Sequence, residues 1–448
     1  MEPHPSAVVC VVEVLESERI FMRIVILGAS GLIGSATVSR LQRSHTLVGI
    51  ARDVEVSRQR FPMVEWRSMD LSRSTGALKE ALAGAEAVVN CVGALQDAPG
   101  ENLSAIHEDV VSNIIMACRH SQAVRIIHIS AVGVDRDPTS RFSTTKQRSE
   151  EVLKASGLTW VILRPSVVLG RPVFGASALM RGLAALPVMP VMPATGPLQV
   201  VQLDDVVATI EYFVQKETAH GIALDLVGPT RHSFTEIVQL YRQWLGWSPA
   251  HEFMLPHSFA KLTYRFGDAI GKLGWRPPVR SNAELEIARG AVGDPTDWTR
   301  VTSIIPRSLP EALAEQPATV QERWFALLYL LRPLVFIILA AFWITTGLVS
   351  IGPGYQIGLD LMFEGGAKSM SGPSVIAGGL TNLLIGVGIA FRRTTRIALF
   401  AALGISLFYA VAGSLLLPRL WIEPLGPLTK IWPIVMLNLV ALVILRDR

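Results

Sequence analysis

Three cysteines, Cys10, Cys91 and Cys118, are all that this 448-residue sequence contains. None are paired at metal or redox spacing, which fits a reducing compartment for the polar part of the chain. Its 9 histidines form no HxxxH or HExxH pattern, so no metal is expected. Charged residues make up only 17%, the net charge is +4, and no basic run is interleaved with aromatics. Nucleic acid is therefore excluded as the expected partner. Tyrosine is absent until Tyr212, so no phenol serves acid–base chemistry in the part of the chain before it.

Hydrophobic residues, in contrast, are plentiful at 50%, and the mean hydropathy is +0.40. That is too apolar for a purely soluble protein. Four nearly chargeless runs follow residue 324, at about 328–350, 373–391, 397–417 and 431–445. Each reads as a transmembrane helix, the last being short, with Lys430 and Arg446 placed to snorkel. Arg323, Arg392, Arg393, Arg396, Arg446 and Arg448 fall on one side; Lys368, Arg419 and Lys430 fall on the other. This bias places both ends of the chain in the cytoplasm, in an inner-membrane protein with the lipid bilayer as a partner. Small residues four apart, such as Ala402/Ser406 and Ala410/Ser414, suit close helix contact, and Asn382 and Asn438 suit interhelical hydrogen bonds.

Before the spans the texture is different. Residues 1–21 read as a loose N-terminal extension, with Met22 as the expected natural start. From 22 to 230, short Val- and Ile-rich runs such as RIVILG, HTLVGIAR, AEAVVNCVG, VRIIHISAVG and TWVILRPSVVLG alternate with amphipathic stretches. Runs of that kind are strands buried on both faces, and the alternation predicts an α/β Rossmann-type, doubly wound parallel sheet. Residues 231–305 predict a small, mostly helical cap lobe, opened by a Ser233/Glu236 capping box. Residues 306–324 read as a proline-punctuated linker, and 325–448 as the four-span bundle.

GASGLIG supplies Gly28, Gly31 and Gly34, with Ser30, Leu32 and Ile33 between them, where the first strand turns into a helix. Glycine permits the tight turn and a close approach to a pyrophosphate, which the helix N-terminus attracts. A dinucleotide is the expected ligand. Arg52, at the end of the second strand, favours the 2′-phosphate of NADP(H) over NAD(H), for which Asp53 would be the ribose ligand instead.

With the order and spacing of these segments, the chain resembles the extended and atypical short-chain dehydrogenase/reductases over about 23–305. It is most similar to the NmrA-like group and to the NADPH-binding accessory subunit of respiratory complex I. The resemblance implies that Asp70 and Leu71 line the adenine side. It also implies that Cys91, Val92 and Gly93 line the cofactor after the fourth strand, and that Pro165 lies near the nicotinamide. Catalytic members use a serine, a tyrosine and a lysine four residues beyond the tyrosine. Here Ser130 and Lys146 match, but Phe142 stands at the tyrosine position and cannot move a proton. No catalytic residue is therefore assigned. Lys146 is expected to hold the nicotinamide ribose, with a solvated lysine paired to Glu150 as the alternative. His128 reads as a core residue, His107 as a surface or packing residue, and Cys91 as lining rather than nucleophile. The four-span tail resembles the DoxX-like family. Together these features imply a membrane-anchored, atypical NADP(H)-binding oxidoreductase for a lipophilic or quinone-like substrate. The alternative is a non-catalytic redox sensor or stabilising subunit of a membrane complex. A transporter is a weaker third, since the spans carry no acid for coupling.

Overall fold

The computed structural model describes residues 21–73, 75–97, 102–119, 124–137, 140–215 and 220–445. The N-terminal extension up to residue 20, Cys10, Arg446 and Arg448 lie outside the described residues.

Six strands lead the chain: β1 (Arg23–Leu27), β2 (Thr46–Ala51), β3 (Glu65–Ser68), β4 (Ala87–Asn90), β5 (Arg125–Ile129) and β6 (Thr159–Pro165). Short strands β7 (Val168–Leu169), β8 (Val188–Val191) and β9 (Val201–Gln202) follow, then β10 (Ile222–Leu226) and β11 (His251–Met254). Seven of them form one parallel sheet in the order β10-β6-β5-β4-β1-β2-β3. Its central strands are sealed on both faces: Ile24, Ile26, Val89, Ile127 and Val161 pack into one cluster, and Val25, Leu27, Val88, Ile126 and Ile162 into the other. This two-sided burial is why the central strands read as unbroken apolar runs. The two edge strands carry charge, as EWRS and IALDL, and so lack the run that reveals the others. Strand order reverses between β1 and β4, which opens a crevice at the carboxyl ends of both.

The expected cap is present but is not purely helical. β8 pairs in parallel with β11. Its core joins Leu169, Met180, Met189 and Leu198 to Ile237, Tyr241 and Leu245. Leu309 completes that same cluster, with Leu313 and Ala318 packed against it, so the stretch read as a linker, 306–324, packs onto the cap. The Ser233/Glu236 box opens the helix Phe234–Trp244 as its spacing requires.

Among the described residues, three helices are long and apolar enough to cross a membrane: Leu331–Ile351, Lys368–Ala390 and Thr395–Leu416. A fourth apolar helix, Ile431–Leu445, is shorter. The first two touch through glycine: a Cβ on Gly347 would lie 2.6 Å from the Gly379 carbonyl, and one on Gly386 would lie 2.7 Å from the Ile344 nitrogen. Asn382 and Asn438 are buried in the bundle; Asn382 accepts from the Tyr409 hydroxyl and Asn438 donates to the Ile434 carbonyl. The helix Tyr355–Glu364, between the first two, carries no buried residue and was not foreseen.

Candidate cofactor site

The turn after β1 is set by Gly28, whose φ of +70° only glycine adopts freely. A Cβ there would also stand 3.0 Å from the Cys91 carbonyl carbon and oxygen. The Gly28 and Ala29 N–H groups donate to the Ile50 carbonyl, which ties the turn to β2. Gly34 brings the next helix onto the turn, since its Cβ would lie 2.3 Å from the Gly28 oxygen. That helix begins at Leu32, with Ile33 and Gly34 in its first turn. Its N-cap, Gly31, offers no side-chain acceptor. The first-turn N–H groups are thus left to an outside anion. The site fits a dinucleotide pyrophosphate on these grounds: a glycine turn too tight for side chains at Gly28 and Gly34, and an uncapped helix start beside it.

The opposite wall is the segment after β4. Asn90 accepts from the Val92 N–H at 3.1 Å and donates to His128 Nδ1 at 3.0 Å. This fixes the curl of Cys91, Val92 and Gly93. Burial pulls His128 down to about 3, so the ring is neutral. The core reading of His128 holds, with an added role in orienting Asn90. Burial likewise pushes the Cys91 thiol up to about 12, which removes it as a nucleophile at neutral pH.

Lys146 lies on the helix Arg141–Lys154, capped by Ser140. It is not the solvated lysine of the alternative reading: it is 4% exposed. Its Nζ donates to the Ile129 carbonyl at 2.8 Å and the Val92 carbonyl at 3.3 Å. Burial lowers its pKa to about 8, against the pull of Glu150. Glu150 itself is taken by Arg164, in bonds of 2.9 and 2.6 Å, and by Lys154 at 3.0 Å. Arg164 in turn reaches Asp135 at 2.6 Å.

Phe142 packs its ring edge against His107, with centroids 5.6 Å apart. His107 is 1% exposed, and it is more tightly engaged than a packing residue. Its Nε2 accepts from the Ala94 N–H at 3.3 Å, so the proton sits on Nδ1 and is donated to Thr145 Oγ at 2.7 Å. Burial, then the Lys146 charge, pushes its pKa down to about 2. It is therefore a neutral strut, not an acid. Nothing in the local sequence distinguishes it, because its partners Ala94 and Thr145 come from two separate segments.

Ser130 and Pro165 close the far end. The Ser130 N–H donates to the Leu163 carbonyl and the Val132 N–H to the Pro165 carbonyl, which holds the ends of β5 and β6 together. Where the adenosine is expected, Arg52 follows β2 and its carbonyl accepts from the Ser68 hydroxyl. The Asp53 carboxylate accepts from the Glu55 N–H. Asp70 accepts from the Ser72 hydroxyl and N–H, and the hydroxyl bond, with lesser help from Arg73 and Arg52, lowers its pKa. Leu71 is buried beneath, its carbonyl held by Asn113. A roof that sequence reasoning missed is the helix Ser281–Arg289. Asn282 donates to the Leu95 carbonyl and Ser140 donates to Glu286, both at 2.5 Å, while Arg280 reaches the Asp97 carbonyl. It spans the loops after β4 and β5.

Among the described residues, no cluster of His, Cys, Asp and Glu could hold a metal ion.

Residues 28–181 match a family described as NAD(P)H-binding, and residues 340–439 match the DoxX-like family. Uncharacterized proteins of Mycobacterium tuberculosis and Mycobacterium bovis are 32% identical over 186 residues. The match takes in 41% of this chain but 19% of theirs, so it spans about a fifth of those relatives. A ceramide reductase of Caulobacter vibrioides is 23% identical over 236 residues, 50% of this chain and 71% of that protein. Among solved structures, the UDP-glucuronic acid 4-epimerase of Bacillus cereus, in complex with NAD, aligns with a TM-score of 0.52 at 17% identity. It covers 69% of this chain and 100% of its own. The dTDP-glucose 4,6-dehydratase of Bacillus anthracis, also with NAD, aligns at 0.51 and 14% identity, over 67% of this chain and 96% of its own. These likenesses speak to the fold alone, a Rossmann-type parallel sheet. The chain thus joins an NAD(P)-binding Rossmann domain of that fold to a DoxX-like membrane domain.

Proposed function

We propose that this protein is a membrane-anchored reductase of atypical type, which binds NADP(H) and acts on a lipophilic acceptor such as a quinone or a long-chain lipid. The observation that carries this reading is the pairing of an intact cofactor floor with Phe142. Gly28 and Gly34 keep the tight turn, and Lys146 Nζ bonded to the Ile129 carbonyl supports a ribose placed beside it. The bound nucleotide supplies a hydride. Of the described groups weighed as proton donors, Phe142 has no proton to give, His107 is held neutral and the Cys91 thiol is held protonated by burial. An acceptor that takes a hydride and then a proton from water, as a quinone does on becoming a hydroquinone, needs no residue for that step. Arg52, with Asp53 engaged on Glu55, supports NADP(H) over NAD(H). The DoxX-like bundle and the ceramide reductase among the relatives support a lipid-soluble substrate.

The bundle would cross the membrane four times, with the reductase domain and both termini cytoplasmic. Arg392, Arg393 and Arg396 at the end nearest the reductase domain, against Lys368, Arg419 and Lys430 at the other, support that orientation.

Absorbance at 340 nm, followed in detergent with NADPH and a series of quinones and long-chain lipid ketones, tests the reading. Oxidation with at least one acceptor is expected. Tight NADPH binding without oxidation of any acceptor, and without a gain in Phe142→Tyr, would overturn it. That outcome would favour the second reading, a non-catalytic NADP(H)-binding sensor or stabilising subunit. The satisfaction of Lys146 Nζ by two backbone carbonyls gives that alternative its specific support.

A further inference from the structure

The helix His257–Lys272 is amphipathic in an unusual way. One face, Ala260, Tyr264, Gly267 and Gly271, is buried against the segment that carries Val279 and Arg280. The glycines make that contact possible, since a Cβ on Gly267 would overlap the Val279 carbonyl at 1.8 Å. A second face is apolar yet faces outward: Phe259, Leu262 and Phe266 are 61%, 61% and 58% exposed. Spacings of three and four put them in one stripe. Lys261, Arg265 and Lys272 run alongside it. The helix's one acid, Asp268, is turned to Arg280 and Ser281.

The helix end is fixed to the membrane bundle. The Trp275 indole donates to the Ala390 carbonyl at 2.8 Å and packs on Phe336, centroids 4.8 Å apart. The Arg392 guanidinium lies over the Trp275 ring, and the Arg392 backbone N–H donates to the Leu273 carbonyl. Ala390 ends one long apolar helix, and Phe336 lies in the first turns of another. The helix that carries the exposed stripe is therefore anchored, just past its C-terminal end, to the last residue of one apolar helix and to the first turns of another.

We infer that His257–Lys272 lies in the plane of the bilayer, with Phe259, Leu262 and Phe266 in the acyl boundary and its lysine and arginine row among anionic headgroups. An apolar stripe with a cationic border is the pattern of such interfacial helices. At its start, an open groove of about 730 Å³ runs between Val191–Thr195 and Met254–His257. In this placement the groove opens onto lipid. A lipid-soluble molecule would enter the cap lobe there without crossing water. The entry role rests on the reading of a lipophilic substrate; the placement of the helix does not.

The test uses the full chain in vesicles of phosphatidylethanolamine and phosphatidylglycerol that contain a phosphatidylglycerol with a diazirine in its acyl chain. After irradiation, adducts are mapped by peptide mass spectrometry. Adducts are expected on the peptide spanning Phe259–Phe266 and on the long apolar helices. None are expected on Val56 or Met63, which are equally apolar and 75% and 87% exposed. A triple variant, Phe259→Ser, Leu262→Ser and Phe266→Ser, should lose the helix adduct severalfold and keep those of the spans. Adducts confined to the spans, or equal labelling at Met63, would overturn the inference. Neither nucleotide nor substrate enters the measurement, so its failure is separate from a failure of the reductase reading.

Discussion

In the sheet domain, charged side chains are buried in partnership: Glu150, Arg164 and Asp135 form a linked set under the end of β6, and Lys146 is satisfied by two carbonyls. In the long helices of the DoxX-like bundle, among the described residues, the buried polar side chains are neutral: Ser371, Asn382, Thr395 and Ser406. Both regions also use glycine for close approach. Gly28 and Gly34 let a turn, a strand end and a helix start meet backbone to backbone, whereas Gly347, Gly379 and Gly386 clear room for a neighbouring helix. The difference follows from the surroundings. A water-bounded domain is free to bury a charge if a counter-charge and hydrogen bonds come with it. A lipid-bounded helix gains nothing from apolar burial against its neighbours, and relies on tight backbone contact.

The comparison is sharpened first by Arg164→Ala, which leaves Glu150 buried without its main partner. A loss of about 3–5 kcal/mol in the stability of the sheet domain is expected in denaturant unfolding, with the bundle unaffected. Burial pushes the Glu150 carboxyl up, but bonds to Arg164 and its charge hold it at about 2, below its ordinary 4.5. The stability drawn from this depressed carboxylate is complete above pH 4.5 and is lost as pH falls towards 2. Arg164→Ala should flatten that dependence; an unchanged acid limb would show the network to be incidental.

Second in size is Gly34→Val. Its side chain would strike the Gly28 carbonyl and displace the turn, so dinucleotide affinity by calorimetry should fall by about 100-fold, close to 2.7 kcal/mol. Binding at the original strength would show that the cradle is not the site. The matching change in the bundle, Gly379→Leu, forces apart the helices at Gly347 and Ile351. It should cost about 1–3 kcal/mol, read as a lower melting point of the detergent-solubilised protein, with nucleotide affinity retained. Loss of nucleotide binding there would mean that the two regions are coupled more tightly than the Trp275 contact indicates.

Arg52→Glu is the mildest. NADPH affinity should drop about tenfold with NADH affinity unchanged. An equal loss for both nucleotides would show that Arg52 does not read the 2′-phosphate.

Much of this was legible in order and spacing. The GASGLIG turn, the five central strands and the apolar runs follow from local pattern, because each depends on residues close in the chain. Edge strands β3 and β10 were not legible, since an edge tolerates Glu65, Arg67 and Asp225. The roof helix Ser281–Arg289 was hidden for another reason: its partners, Leu95 and Ser140, lie far back in the chain. The linker looked loose because prolines punctuate it. Leu309, Leu313 and Ala318 pack it onto the cap core.

The sequence by itself determined that a glycine turn precedes a helix, that Phe142 stands four residues before Lys146 with no tyrosine before Tyr212, and that the C-terminal region is strongly apolar. Those are properties of residue type and near-neighbour spacing. Only the tertiary structure decided that Lys146 is buried rather than paired with Glu150, and that His107 is a neutral strut. It alone joined Trp275 to the bundle. Each of these depends on which distant backbone groups arrive beside a side chain, and local sequence does not encode that.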